Sequence, residues 1–466
     1  MPPLSVAEVV EATGGSLLRG SSRTLLTSFS IDTRTLSENG LFFALPGTRT
    51  DGHAFLHEAA RAGAAAAVIA RPPDPEAEVP ATLVQVEDPV QALWQCGKLA
   101  RKKVPAAQLV ALTGSTGKTT TKELIAASLA AGRRVHRTTG NLNNHLGVPL
   151  TLLACPEDAQ VQVIEMGMSA PGEIASLTEL ADPDVGLVTN VRPVHLEFFR
   201  SLDDIAAAKG ELFARLRADA TAVVNLDDTN VRLQAQRHAG PRITFGRDPA
   251  ADVVLEEVED RFLPGAALTI RHGDRRERLE LRLPGAHAAE NALAAIATAV
   301  AAGASVEEAA SGMRTLEAGP GRGRIHRLGQ GISVVDDVYN SNPAAVAAVL
   351  RTLAGTKPAG RRVLVFGDML ELGSEEAAFH REVGRLAADA GVDLIVGVGP
   401  RARSAVEEAA RCGVHGTAHE PDAASAARGM AARLRPGDFV VVKGSRGVRL
   451  ETVVAALQSA FPAEQV

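Results

Sequence analysis

The sequence predicts a three-domain α/β protein, and three observations carry that prediction. The chain has 466 residues, short apolar runs alternate with helical segments along most of it, and the pattern restarts near residues 105 and 318. At roughly 150 residues per domain, this length corresponds to about three domains. Apolar runs of five or six residues separated by helices suit buried parallel strands with helices on both faces.

In residues 1–105, the stretch 40–72 reads as a short apolar strand (LFFAL), a loop, an Ala-rich helix and a second apolar strand, closed by a proline-rich break at 72–80. That is one βα unit with a return strand. The basic run Arg101-Lys102-Lys103, followed by Pro105, marks the first boundary. Residues 106–317 open with QLVAL at 108–112, then a glycine-rich turn and a helix, with further runs ending at Glu165 and Asn190 and another starting at Ala222. Residues 253–283 alternate apolar and polar, which predicts a small antiparallel meander attached to the core. The Ala-rich stretch 291–306 contains Gly303 and falls short of the ~18 residues of a spanning helix, so a packed helix is expected. In residues 318–466 the strands are ISVVDD, RVLVF, DLIVGV and FVVV, with helices after Pro343 and from Glu375, Arg401 and Val448.

Composition narrows the function. Hydrophobic residues make up 45% and charged residues 22%, as in ordinary globular proteins. The balance of 49 basic against 55 acidic residues, a net charge of −6, argues against long nucleic acid or an anionic membrane as the main ligand. Three scattered cysteines (Cys96, Cys155, Cys412) supply neither a zinc ribbon nor a disulfide framework. With acidic residues where a signal peptide would be basic, a cytoplasmic protein is expected.

The strongest chemical signal is Gly114-Ser115-Thr116-Gly117-Lys118-Thr119, after a strand and opening a helix that continues through Thr120. Such a turn aims backbone N–H groups and a helix dipole at phosphate oxygens, with Lys118 as a mobile cation and Thr119 as a candidate Mg²⁺ ligand. Leu112 stands where the full motif has its first glycine. Glu165 ends an apolar strand, where parallel sheets present ligand-facing groups, and His195 follows another strand end. Lys209 by itself is an ordinary solvated helix lysine. Gly397-Val-Gly-Pro-Arg-Ala402, with Glu420 further on, has the spacing of a dinucleotide fingerprint but sits in the last third of a chain that already has a nucleotide site, so we reject it. The clusters DDVYNSNP, which carries Asp337, Tyr339 and Asn340, and VKGSRG (443–447 from the lysine) lie at predicted strand ends, the ligand edge of such sheets.

Taken together, these segments resemble the Mur ligases, ATP-dependent amide-forming enzymes of bacterial cell-wall precursor synthesis. The likeness is colinear over the whole chain, through SIDTR, LFFALPG and DGHAF, then GNLNNHLGVPLTLL and EMGMSAPGEI, then DDVYNSNP and FGDMLELG. It implies a UDP-substrate domain (1–105), a central P-loop domain that binds ATP (106–317) and a C-terminal Rossmann-like domain that takes the incoming dipeptide (318–466). The substrates it implies are ATP, UDP-N-acetylmuramoyl-tripeptide and D-alanyl-D-alanine, joined through an acyl phosphate by a monomer that binds neither nucleic acid nor membrane. Thr119 and Glu165 would serve one Mg²⁺ and His195 a second, with Lys209 carbamylated to help hold the metal. Carbamylation needs a neutral amine, so the site must depress the Lys209 pKa. Asn291 would lie at the adenine, Asp337 near the ribose, and Arg322 or Arg324 at the phosphates. Ser30, Asp32, Thr33 and Arg34 match the segment for the UDP end, and Asn141, Asn143 and Asn144 the muropeptide path. The ligase of the preceding step carries an Asp-Asn-Pro-Arg stretch, which does not occur here. Folylpolyglutamate synthetases would leave SIDTR and DGHAF unexplained, and the Mur-like amidotransferase subunit needs a cysteine-rich insertion.

Overall fold

The computed structural model describes residues 2–47, 50–74, 76–193, 199–283, 285–356 and 358–463, apart from the loop 261–264. Beside a small antiparallel pair, Leu4–Ser5 with Leu25–Leu26, three larger sheets follow one another along the described chain. The first has five strands in the order Ser16–Arg19, Thr82–Gln85, Ala64–Ile69, Gly40–Phe43, Ser28–Ser30, parallel except for the outermost pair Ser16–Arg19 and Thr82–Gln85. The sequence predicted its two most apolar strands, one βα unit of a larger sheet.

The central sheet is nine strands wide. Gln108–Thr113 lies between Val161–Glu165 and Val185–Val188, parallel to both, and the chain visits one side of it before crossing to the other. The loop after this strand therefore opens at a topological switch point, where such sheets form ligand crevices. Alternation within the strand follows from burial on both faces: Val110 and Leu112 pack toward Ile125 and Ala292, while Leu109 and Ala111 pack toward Ile164 and Phe213. Each fully buried Leu, Ile or Val contributes roughly 1.5–3 kcal/mol, which makes these short runs decisive. The alternating segment 253–283 forms Val253–Asp260, Ala266–His272 and Arg275–Leu281, mutually antiparallel. It is not an appendage: Val253–Asp260 pairs parallel with Arg242–Gly246, so the meander extends the central sheet itself. The Ala-rich helix spans Ala286–Ala301 and its alanines fill the core against the helix Lys118–Ala130. It starts earlier and stops sooner than the apolar run, because Gly303 ends it and Ser305 caps a new helix, Val306–Met313.

The third sheet runs Arg324–Arg327, Ser333–Asp337, Phe439–Lys443, Arg362–Gly367, Leu394–Val398, Gly416–Glu420, with only the first pair antiparallel. The turn with the dinucleotide-like spacing is already filled: Asp368 Oδ1 accepts from the backbone N–H groups of Arg401 (3.0 Å) and Ala402 (2.8 Å). Among the described residues no helix is long and apolar enough to cross a membrane.

Candidate active site

The phosphate-loop sequence forms the expected strand, turn and helix: Gln108–Thr113, then Gly114 to Gly117, then Lys118–Ala130. Gly117 caps the helix with φ +79° and no side chain, so the first-turn N–H groups, which lack intrahelical acceptors, meet no capping side chain. Neither glycine has room for a Cβ: at Gly114 it would lie 1.9 Å from Thr189 Oγ1, and at Gly117 2.2 Å from Asn291 Oδ1. Asn190, at the end of the neighbouring strand, shapes the loop by accepting from Ser115 N at 3.0 Å and, through Oδ1, from Thr116 N at 3.0 Å.

Two lysines meet in this loop. Lys118 Nζ donates to Gly114 O at 2.7 Å, and Lys209 Nζ donates to the same oxygen at 3.0 Å. Lys209 ends the helix Leu202–Lys209 and is 2% exposed. Burial first, and the Lys118 ammonium second, hold its amine well below the ordinary lysine range. Lys118 is also lowered by loss of water, with Glu165 working against that shift and Arg322 adding to it. Glu165, 2% exposed, ends Val161–Glu165; Asn143 Nδ2 donates to its Oε1 at 2.8 Å, while its Oε2 has no hydrogen-bond partner. Among the described residues that oxygen has only the Lys122 ammonium, 4.0 Å away, as an ion-pair neighbour; a buried oxygen without a hydrogen bond costs ~1–3 kcal/mol, so it suits a closer cation.

The third domain closes the other side. A cleft of about 330 Å³ is lined by Thr119, Thr120, Gly140 and Asn141 on one wall and by Arg322, Tyr339 and Arg446 on the other. The Arg322 guanidinium stacks 3.7 Å from the Tyr339 ring centroid, with that of Arg446 at 5.4 Å. Arg322 and Asp337 also border, with Thr120 and His287, a smaller cavity of about 40 Å³ at the same seam. Arg324 opens the edge strand Arg324–Arg327 and lines a different groove, beside Arg282 and Gln458. The geometry thus brings Arg322, not Arg324, to the phosphate loop.

Comparison with known proteins agrees over the whole length. Residues 26–102 match the Mur ligase family, catalytic domain; 112–299 the Mur ligase middle domain; and 321–446 the Mur ligase, glutamate ligase domain. The chain belongs to the Mur ligase family. The UDP-N-acetylmuramoyl-tripeptide--D-alanyl-D-alanine ligase of Escherichia coli is 36% identical over 98% of this chain and 99% of its own. A crystal structure of MurF from Acinetobacter baumannii superposes with a TM-score of 0.88 at 30% identity, covering 98% of this chain and 99% of that one. MurF from Thermotoga maritima, in complex with ADP, gives a TM-score of 0.78 at 29% identity, covering 93% and 97%.

The remaining expected positions of this Mur ligase divide into several groups. Ser30, Asp32, Thr33 and Arg34 form one turn at the end of Ser28–Ser30: Ser30 Oγ accepts from Asp32 N at 2.9 Å, Asp32 caps the 3-10 turn Thr33–Thr35, and Arg34 forks onto Asp32 at 2.6 Å. Asn144 Oδ1 accepts from Leu146 N at 3.2 Å and Gly147 N at 2.9 Å, holding the turn that enters the helix Gly147–Leu153, a local structural task distinct from that of Asn143. Asp337 accepts from Lys443 Nζ at 2.6 Å, and that ammonium also reaches Asn340 O at 3.1 Å. His195 lies outside the described residues. Sequence reasoning missed Lys122 and Thr138 altogether and did not single out Lys443 or Asn190. The signal for Lys122 was its place four residues after Lys118, one helical turn away on the same face.

Proposed function

We propose that this Mur ligase joins D-alanyl-D-alanine to UDP-N-acetylmuramoyl-tripeptide at the expense of ATP. The observation that carries this reading is the convergence of Lys118 and Lys209 on one phosphate-loop carbonyl, with Glu165 ending the neighbouring strand within reach of the Lys118 charge and a cleft lined by Thr119, Thr120, Arg322 and Tyr339 alongside. In the first step an oxygen of the tripeptide's terminal carboxylate attacks the γ-phosphorus of ATP, the bond to the β-γ bridging oxygen breaks, and ADP leaves. The second step is attack of the dipeptide amine on the acyl phosphate carbon, with loss of inorganic phosphate and one proton from nitrogen. Lys118 and the helix N-terminus cradle the phosphates, and Arg322 adds charge from the third domain as negative charge moves toward ADP. Closing the cleft excludes water, which would otherwise hydrolyse the acyl phosphate.

The donor set fits Mg²⁺. Thr119 and the Oε2 oxygen of Glu165 would hold one ion and His195 a second, with a carbamylated Lys209 helping to bind the metal site; the metal would neutralise charge on the transferring phosphoryl group. Asn291, against Gly117, and Asp337, at the small seam cavity, support the adenine and ribose assignments. Residues 1–105 would carry the UDP end, 106–317 the ATP and 318–466 the dipeptide, in a cytoplasmic monomer. ADP release measured with ATP, Mg²⁺, each UDP-tripeptide (lysine or diaminopimelate) and D-Ala-D-Ala, with product mass, tests this. Release should depend on the dipeptide and be far weaker with L-Ala-L-Ala; equal rates with both would overturn the assignment.

A further inference from the structure

Lys122 is 1% exposed, in a position where lysines are rarely found without partners. Its ammonium donates to Thr138 O at 2.7 Å, lies 3.0 Å from Glu123 Oε1 and stands 4.0 Å from Glu165 Oε2. Glu123 is itself shared with Arg137 at 2.7 Å, so the buried charge is compensated toward the surface. Nothing in the phosphate chemistry described above uses Lys122. What it touches is the start of a segment, residues 138–145, that crosses from the phosphate-loop helix to the first domain.

That segment is tied at several points. Thr138 N donates to Val163 O at 3.0 Å, and Thr138 Oγ1 accepts from Glu165 N at 3.0 Å. Asn143 donates to the Glu165 carboxylate at 2.8 Å and, through its carbonyl, accepts from Gly167 N at 2.7 Å. At the far end, His145 O accepts from Trp94 Nε1 at 2.7 Å, and Trp94 lies on the first-domain helix Pro89–Lys103. Between these anchors Gly140 and Asn141 line the cleft beside Thr119 and Thr120. The bond from Lys122 is the tie from the ATP-binding helix to this strap.

We propose that Lys122 is a positioning residue for the UDP-tripeptide: its bond to Thr138 O sets where residues 138–145 lie relative to the phosphate-loop helix, and so where the tripeptide carboxylate meets ATP. The inference rests on the ligase reading above. A buried ammonium suits this task, because a charge-assisted bond to a carbonyl inside the protein resists the small slippage that would misplace a reacting group.

The test separates the two substrates. Lys122→Met should raise the KM for UDP-tripeptide about tenfold and leave the KM for ATP within about twofold, with Lys122→Arg recovering part of the loss. Trp94 is the only tryptophan of the chain, so its emission reports on the far end of the strap. Acrylamide quenching of Trp94 should increase in Lys122→Met without any substrate present. If Lys122→Met does not fold, Lys122→Gln, which keeps an N–H donor, takes its place, with a smaller rise expected in the same KM. An unchanged KM for UDP-tripeptide in a folded variant, or equal rises in both KM values, would overturn the proposal. Wild-type protein that releases no ADP with UDP-tripeptide and D-Ala-D-Ala would remove the ligase reading instead. In that event unchanged Trp94 quenching in the folded variant would overturn the tether on its own, and increased quenching would uphold it.

Discussion

Lys118 and Lys209 donate to one acceptor, the Gly114 carbonyl, at 2.7 and 3.0 Å, although 91 positions separate them in the chain (209 less 118). Two full ammonium charges on one carbonyl repel; loss of water lowers both amines, and Lys209, 2% exposed, is held well below its ordinary value. A neutral amine is the form that reacts with CO₂. Wild-type protein in ¹³C-bicarbonate near neutral pH should therefore give a carbamate carbon signal that is missing from Lys209→Ala. That variant should lose about a hundredfold or more in kcat, with partial rescue by short-chain carboxylates, and Lys209→Arg should stay inactive. Full activity of Lys209→Arg would rule the carbamate out.

Lys118→Ala removes a cation from the loop without opening a core cavity. ADP release should become undetectable while the thermal midpoint moves by no more than about 3 °C. Turnover at the wild-type rate would mean the loop does not hold the transferring phosphates.

The two candidate arginines should separate cleanly. Arg322→Ala loses the stacked guanidinium beside the phosphate loop and should reduce kcat/KM for ATP by about tenfold or more, whereas Arg324→Ala, on the exposed edge strand, should stay within about twofold of wild type. The reverse ranking in steady-state kinetics would reassign the arginine.

His380 makes acid stability measurable. Its Nε2 accepts from Met369 N at 3.0 Å, so Nδ1 carries the proton and donates to Glu376 O at 2.7 Å. Burial holds its pKa below the ordinary 6.5, with Asp368 and Glu376 opposing that shift and Arg401 adding to it. The unfolded chain takes up a proton at the ordinary value while the folded one resists. This contribution to stability is thus present above pH 6.5, is lost as pH falls toward the folded pKa, and then levels off. The loss is at most about 1.4 kcal/mol per pH unit from this group. Urea unfolding at about pH 7.5 and about pH 5.5 should show a smaller difference for His380→Gln than for wild type. Equal differences would place the acid sensitivity elsewhere.

The elements legible in the sequence were those buried on both faces, such as Gln108–Thr113 and Leu394–Val398, whose side chains have no solvent side to dilute the apolar run. Many of those that escaped are sheet edges, although the interior strands Thr82–Gln85 and Arg242–Gly246 also went unread. Val135–Arg137, Arg324–Arg327 and Gly416–Glu420 read VHR, RIHR and GTAHE, and each pairs on one side only, so polar residues interrupt the signal. In the candidate site, the strand, turn and helix around Gly114 to Thr119 were readable because the motif is contiguous. The Lys443 to Asp337 pair spans 106 positions, and Lys122 reaches Thr138 across 16, contacts that neither period nor motif encodes.

The Asp368 carboxylate, seated on the N–H groups of Arg401 and Ala402, has a consequence for how the cell's other nucleotides can address this protein. A dinucleotide pyrophosphate approaching the glycine-rich turn of the third sheet would have to evict an anion that the fold supplies from its own chain, at no cost in association entropy. A nicotinamide dinucleotide would therefore meet, at that turn, N–H groups already satisfied by the protein's own carboxylate.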